Sequence, residues 1–230
     1  MNPDMIVFVG MDGSGKSTLS RTLGADLINT GIDVRHIWVL ENEQSHLRRI
    51  LKRIAPARFT RNASQQTGSG ITGSRSGSMG FILRGLYPAI VTFDYMVYGL
   101  VRIRLPSLVR NRVWIFDRYF FDVILALSDE FVLNQGQGGL MWSLFGISFP
   151  VPDIIFFVDV KPEVAAERKP DAYPSLEEAA IMRHRYLGLL DTLNRRYGTR
   201  VLRIDNNGDL EESCEEIRKG IGALGLVHHE

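Results

Sequence analysis

Residues 10–17 read GMDGSGKS, a glycine, four residues, a second glycine, a lysine and a serine, directly after the apolar run MIVFV. Three glycines so close together let the backbone curl until successive N–H groups converge, an arrangement that suits the oxygens of a phosphate. An amphipathic segment follows at once, with Leu19, Leu23, Leu27 and Ile28 on one face and Gly31 where a helix-ending glycine belongs. The loop therefore also receives the positive N-terminal end of a helix. Strand, glycine-rich turn and helix in this order leave few folds open, because the strand has to lie in a sheet with the loop at its carboxyl edge. In this pattern Gly10, Asp12, Gly13, Ser14, Gly15, Lys16, Ser17 and Thr18 form an ATP or phosphate site. The Lys16 ammonium would reach the β- and γ-phosphates, and the Ser17 hydroxyl would hold Mg²⁺.

The rest of the chain repeats the alternation. Candidate strands are 5–9, 34–40, 113–117, 153–160 and 200–204, and those at 113 and 153 are apolar on both faces, as central parallel strands are. Between them lie helical signals. SLEE at 175–178 is a capping box opening a helix with Leu176, Ala179, Tyr186, Leu190, Leu193 and Tyr197 inward. DLEE at 209–212 repeats the device, and Pro162 with Glu163 marks a third start. Alternation from end to end predicts an α/β fold with a parallel sheet in one domain over 1–230. Residues 62–80, NASQQTGSGITGSRSGSMG, carry little apolar surface, and a mobile loop is expected over about 56–80.

Composition narrows the function classes. Lys+Arg 27 against Asp+Glu 26 leaves a net charge of +1, so no global field draws the chain to nucleic acid or an anionic membrane. The longest apolar stretch, 89–101, is too short to span a bilayer and contains Asp94. Cys214 is the only cysteine and falls on an apolar helical face with Leu210, Ile217, Ile221 and Leu224, which reads as a core thiol in a reducing compartment. The first apolar run is shorter than a signal-peptide core, so a cytoplasmic protein is expected. His36, His46 and His184 show no metal-ligand spacing.

A second motif is VWIFDRYFFD at 113–122. Four apolar residues ending in Asp117 describe a strand whose carboxylate sits at the sheet edge, where it can hold a Mg²⁺-bound water. Arg118 follows, a guanidinium placed either to clamp phosphoryl oxygens or to form a structural ion pair at the strand end.

With these residues in view, the chain resembles the thymidylate kinase family of P-loop nucleoside monophosphate kinases. The resemblance rests on GMDGSGKST, on Asp117-Arg118-Tyr119, on PDIIFFVDVKPEVAAERK from Pro152 to Lys169, and on Pro106 eleven residues before the aspartate. It implies a three-layer P-loop NTPase fold with a five-stranded parallel sheet and helices on both faces. ATP and Mg²⁺, a nucleotide acceptor, a lid over about 168–175 and a homodimer are implied with it. It makes Lys16, Asp117 and Arg118 catalytic, Ser17 and Asp117 metal-binding, and Arg168 the lid-base arginine over the adenine or phosphates. It places Asp12 and Arg118 at the acceptor, where Arg84 and Phe93 are further candidates.

The acceptor half departs from the family. WVLENEQSH stands where relatives carry an Arg-Glu-Pro-Gly-Gly run, and Met96 stands where they carry the arginine that reads thymine. Thr92, beside Phe93, takes the place of the stacking aromatic. Arg48, Arg49, Lys52, Arg53, Arg58 and Arg61 form a basic cluster, read as an acceptor-phosphate site or a solvated helix face. Asp94 reads as an acceptor contact or a buried ion pair, and Arg183 and Arg185 as phosphate contacts or helix-surface charge. A hydroxyl kinase, using Asp94, Glu41 or Glu43 as base, and a nucleotide-binding regulator remain alternatives. Loss of one charged hydrogen bond to a base costs about 1.5–3 kcal/mol, roughly ten- to a hundredfold in affinity. Thymidine monophosphate is accordingly expected to show no large advantage in kcat/KM over uridine, cytidine and deoxyguanosine monophosphates. A thymidine preference of about a hundredfold or more would contradict this and point to Arg84 as the base reader.

Overall fold

The computed structural model describes residues 5–39, 89–109, 112–131 and 135–223. The expected loop at 56–80, Arg84, Glu41, Glu43, His46, Leu224 and the basic cluster from Arg48 to Arg61 lie outside them. The chain forms two compact units, one of 1–39, 106–122 and 150–230, the other of 40–105 and 123–149.

The first unit carries a five-stranded parallel sheet of order β2-β3-β1-β4-β5. The strands are β1 (Met5–Val9), β2 (Val34–Trp38), β3 (Val113–Asp117), β4 (Ile154–Asp159) and β5 (Val201–Asp205). They match the five candidate runs to within two residues at each end. Every residue of β1, β3 and β4 is buried, whereas β2 and β5 are partly exposed edges. Three apolar strands in the middle and two mixed ones outside is what helices on both faces require.

Helices in this unit are α1 (Lys16–Asn29), α5 (Pro162–Arg168), α6 (Leu176–Tyr197) and α7 (Leu210–Ala223). Strand alternation sends Ile6, Phe8, Val113, Ile115, Phe156 and Val158 to one face, where they pack with Leu19, Leu23 and Leu27 of α1 and Cys214, Ile217 and Ile221 of α7. The other face carries the aromatics Trp114 and Phe116. Tyr119 packs edge-on against Phe116 at 5.0 Å between ring centroids, and Phe121 meets Tyr197 at 5.6 Å. The expected α/β fold is the one observed, and Cys214 is a core thiol.

The helix starts are those the sequence marks. Ser175 caps α6 by accepting the Glu178 N–H at 3.2 Å, Pro162 opens α5, and Asp209 Oδ1 accepts the Glu211 N–H at 3.1 Å. Three apolar residues expected inside are exposed: Ile28, Leu176 and Leu210. Ile28 lies one residue, or 100° of helix rotation, beyond the stripe that ends at Leu27. Leu176 and Leu210 open their helices before the first buried positions, Ala179 and Ser213.

In the second unit, residues 89–98 are helical and continue through a π-helical stretch, Gly99–Arg104. Gly99 is tightly fitted there, since a Cβ would lie 2.4 Å from the Phe149 ring. Residues 89–109 make up α2; α3 (Phe120–Phe131) starts in the first unit, and α4 (Gln135–Ser148) belongs to the second. No described helix is long and apolar enough to cross a membrane.

One ion-pair cluster ties α6 to the sheet. Asp159 accepts Arg183 Nε at 3.0 Å and Nη2 at 2.9 Å, and Arg203 Nη2 at 2.5 Å. Arg183 is therefore engaged by a carboxylate at the end of β4. Burial raises the Asp159 carboxyl, but the hydrogen bonds from Arg183 and Arg203 outweigh it and hold the group below the ordinary aspartate value. A depressed carboxylate contributes stability above its unfolded pKa and loses it as pH falls through the folded one. Asp159→Asn should therefore cost about 1–2 kcal/mol at neutral pH, with the gap to wild type closing in urea titrations as pH falls below the ordinary aspartate range. A gap independent of pH would contradict the ionic origin.

Candidate functional site

The turn between β1 and α1 is shaped by how closely other backbone approaches it. Gly13 has φ +78°, and a Cβ there would sit 2.6 Å from the Ala165 carbonyl of α5. Gly15 has φ +87°, and a Cβ there would sit 2.3 Å from Asn206 Nδ2. Neither position admits a side chain, so both glycines are demanded by space as well as by conformation. Within the turn Ser14 N–H donates to the Met11 carbonyl at 3.2 Å, and Thr18 and Leu19 N–H groups both donate to the Gly15 carbonyl at 3.0 Å. Ser14 and Lys16 are buried, Asp12 and Ser17 half-buried, and Thr18 exposed.

The register of the sheet brings the second motif to this turn. Phe8 lies opposite Asp117 across the β1–β3 pair, so β3 ends beside the start of the loop. Arg118 then adopts φ 70°, the left-handed region, with its N–H donating to the Phe8 carbonyl at 3.0 Å. A residue with a Cβ costs roughly 1–2 kcal/mol in that conformation, and other contacts must hold it there. They are present. Nη1 of Arg118 donates to Asp122 Oδ1 at 3.2 Å and to the Tyr186 hydroxyl oxygen at 3.2 Å, and Nη2 donates to Asp12 Oδ1. The Tyr186 hydroxyl in turn donates to Asp122 Oδ1 at 2.8 Å, and Asp122 Oδ2 accepts the Tyr119 N–H at 3.2 Å.

Asp12 is the meeting point of the cations. Its Oδ1 accepts Arg118 and takes Lys16 Nζ at 3.4 Å and Lys169 Nζ at 3.7 Å. Burial alone would raise the Asp12 carboxyl, but Arg118, then Lys16 and Lys169, hold it below the ordinary aspartate value. Lys16 moves the opposite way from an exposed lysine. Burial first, and the like charge of Arg118 second, pull its ammonium down to about 8 against the carboxylates of Asp12, Asp122 and Asp117. Its remaining hydrogen bond is to the Met11 carbonyl at 3.1 Å.

Asp117 Oδ1 is buried and has no hydrogen-bond partner among the described residues. A carboxylate oxygen in that position is costly unless a cation or its water supplies the missing partner. The donor set of Ser17 and Asp117 at the loop and the strand end therefore fits a hard, oxygen-seeking ion such as Mg²⁺. No cluster of three or more His, Cys, Asp or Glu that could hold a metal occurs among the described residues.

Other expected residues fall differently. Arg168 ends α5, and its Nη1 donates to the Asn206 carbonyl at 2.9 Å. The segment expected as a lid forms a 3-10 turn, Pro170–Ala172, followed by buried Tyr173, whose hydroxyl donates to the Asp12 carbonyl at 3.0 Å. Phe93 lies on α2 in the second unit with an exposed side chain, and Arg84 lies outside the described residues.

Sequence reasoning missed Asp122, Tyr173, Tyr186 and Asn206. Asp122 stood in the quoted DRYFFD, four residues after Arg118, the spacing at which a helix pairs charges. Tyr186 looked like an ordinary core position on α6, and nothing in the sequence distinguished its hydroxyl. His36 was also outside the expected set. Its Nε2 lies 3.0 Å from Ser20 Oγ, and that hydroxyl donates to the Ser17 carbonyl at 3.2 Å, tying the first turn of α1 to the edge strand.

No protein-family model matches the chain. It is similar to a curated thymidylate kinase from Leptospira interrogans serogroup Icterohaemorrhagiae serovar copenhageni, 28% identical over 172 residues that cover 72% of this chain and 68% of that protein. A thymidylate kinase from Leptospira borgpetersenii serovar Hardjo-bovis is 25% identical over 166 residues, with the same coverage of both chains. The relatives found and the motifs point the same way, toward similarity to thymidylate kinases.

Proposed function

We propose that this thymidylate kinase-like chain transfers the γ-phosphoryl group of ATP to the phosphate of a nucleoside monophosphate. The observation that carries the reading is the convergence of Lys16 and Arg118 on Asp12 at a glycine-cradled helix N-terminus, beside the buried and unpartnered Asp117 Oδ1. A turn at which one lysine and one arginine meet on a single carboxylate is suited to bind anions. A carboxylate lacking a donor next to it fits the metal that accompanies a nucleoside triphosphate.

In this reading the N–H groups of the loop and the end of α1 cradle the ATP phosphates. Lys16 places its ammonium on the β- and γ-phosphates, and Arg118, whose Nη1 is held by Asp122 and Tyr186, presents Nη2 to the transferring group. Mg²⁺ held by Ser17 and Asp117 supplies further positive charge when bound. Phosphoryl transfer needs alignment and charge neutralisation more than proton transfer. An acceptor phosphate is already anionic at neutral pH, so no general base is required of the chain. Tyr173 and Lys169, both held on Asp12, join the segment after α5 to the loop and help keep water from the transferring group.

Asp12 then has two tasks. It partners the cations in the protein without nucleotide, and it is available to an acceptor hydroxyl or to the metal's water shell once phosphate takes over Lys16 and Arg118. The resemblance to thymidylate kinases supports thymidine monophosphate as one acceptor, while Met96 supports tolerance toward others.

ADP release measured with a panel of nucleoside monophosphates, nucleosides and sugars tests the assignment. Nucleoside monophosphates should stimulate release strongly, and nucleosides and sugars should not. Lys16→Ala should leave the far-UV circular dichroism unchanged and lower kcat/KM with the best acceptor by about a hundredfold or more. Retention of over about a tenth of the wild-type rate would remove Lys16 from the reacting group, and stimulation by nucleosides alone would move the reading to hydroxyl kinases.

A further inference from the structure

The phosphate loop is fixed by a residue outside the loop motif, at the end of the edge strand β5. Asn206 follows β5 immediately and is buried at 2% exposure. Its Nδ2 donates to the Ser14 carbonyl at 2.7 Å, across 192 residues of sequence. Its Oδ1 accepts the Ser213 hydroxyl of α7 at 3.0 Å, which fixes the orientation of the carboxamide. Its backbone N–H donates to the Asp159 carbonyl at 3.0 Å, and its backbone carbonyl accepts Arg168 Nη1 at 2.9 Å. One residue thus joins the phosphate loop, the end of β4, the start of α7 and the arginine that ends α5.

The contact is too close to be incidental. Nδ2 lies 2.3 Å from where a Gly15 Cβ would stand, and Arg168 Nη1 lies 3.9 Å from the same point. Asn206 and Gly15 are packed so closely that no side chain fits at Gly15. The Ser14 carbonyl, turned outward to Asn206, belongs to a loop whose N–H groups have to face inward to bind phosphate. A buried carbonyl also needs a donor, and Asn206 provides it.

We propose that Asn206 is a positioning residue of the nucleotide site. It fixes the peptide carbonyl of Ser14 so that the neighbouring N–H groups point into the loop, and it holds the Arg168 guanidinium above Gly15. The inference rests on the reading of the loop as an ATP site and assigns a residue of the β5–α7 connection to ATP affinity. Ser213, acting through the Asn206 carboxamide, belongs to the same device at one remove.

Binding of ATP with MgCl₂ to the full chain, followed by isothermal titration calorimetry, tests the role. Asn206→Asp keeps the size of the side chain and replaces the donor with an oxygen that repels the Ser14 carbonyl. It should raise the ATP Kd by about tenfold or more, and the KM for ATP with it. The KM for the acceptor should stay within about twofold, and so should kcat at saturating ATP, which a general loss of structure would not spare. An ATP Kd within about twofold of wild type in the folded variant would overturn the role. If Asn206→Asp does not fold, Ser213→Ala decides the question. An increase of about threefold or more in the ATP Kd supports the proposal, and an unchanged Kd overturns it. Absence of ATP binding by the wild-type chain would count against the nucleotide site itself, and that outcome is separate from either result with the variants.

Discussion

The ion pair between Asp12 and Arg118 is the junction on which the site depends. It connects the loop after β1 with the residue after β3, two strands that are neighbours in the sheet although more than a hundred residues apart in the chain. Arg118 can serve this junction only in a left-handed backbone conformation. That conformation is held by a second carboxylate, Asp122, and by the Tyr186 hydroxyl, so α3 and α6 both bear on the placement of one guanidinium. In the proposed reading such an arrangement is pre-organised, since the guanidinium is already fixed on a carboxylate that a phosphate would replace.

The same logic explains the burial of Lys16. A buried ammonium is unfavourable unless carboxylates or carbonyls surround it, and burial with the like charge of Arg118 pulls that of Lys16 down to about 8 against Asp12, Asp122 and Asp117. A polyanionic ligand would supply the missing compensation, so part of the free energy of binding comes from a deficit built into the protein. The orphaned Asp117 Oδ1 is a deficit of the opposite sign a short way along the sheet edge. In the proposed reading, a buried lysine paired with Asp12 at 3.4 Å, beside a buried carboxylate oxygen without a donor among the described residues, matches the paired charges of a metal–nucleotide complex.

Much of this was legible in the sequence. The five strands, and the inner places of β3 and β4, follow from the apolar runs, and the capping Ser175 and the helix-opening Pro162 mark helix starts that the structure keeps. Lys16, Asp117 and Arg118 were named from local spacing, and the sheet register brings their segments together. Contacts made through tertiary structure were not legible. Tyr186 and Asn206 act by hydrogen bonds spanning 68 and 192 residues, and neither has a local neighbour that hints at its partner. Leu176 and Ile28 fail for a simpler reason, since periodicity gives the direction of a helix face but not how far the core extends along it.

The fate of the γ-phosphate of ATP tests the central claim most directly. With γ-³²P-labelled ATP, MgCl₂ and a nucleoside monophosphate, the account predicts label in the nucleoside diphosphate at a rate far above its appearance in inorganic phosphate. Label confined to inorganic phosphate, at a rate unaffected by any monophosphate, would show a nucleotide hydrolase or sensor and contradict the assignment.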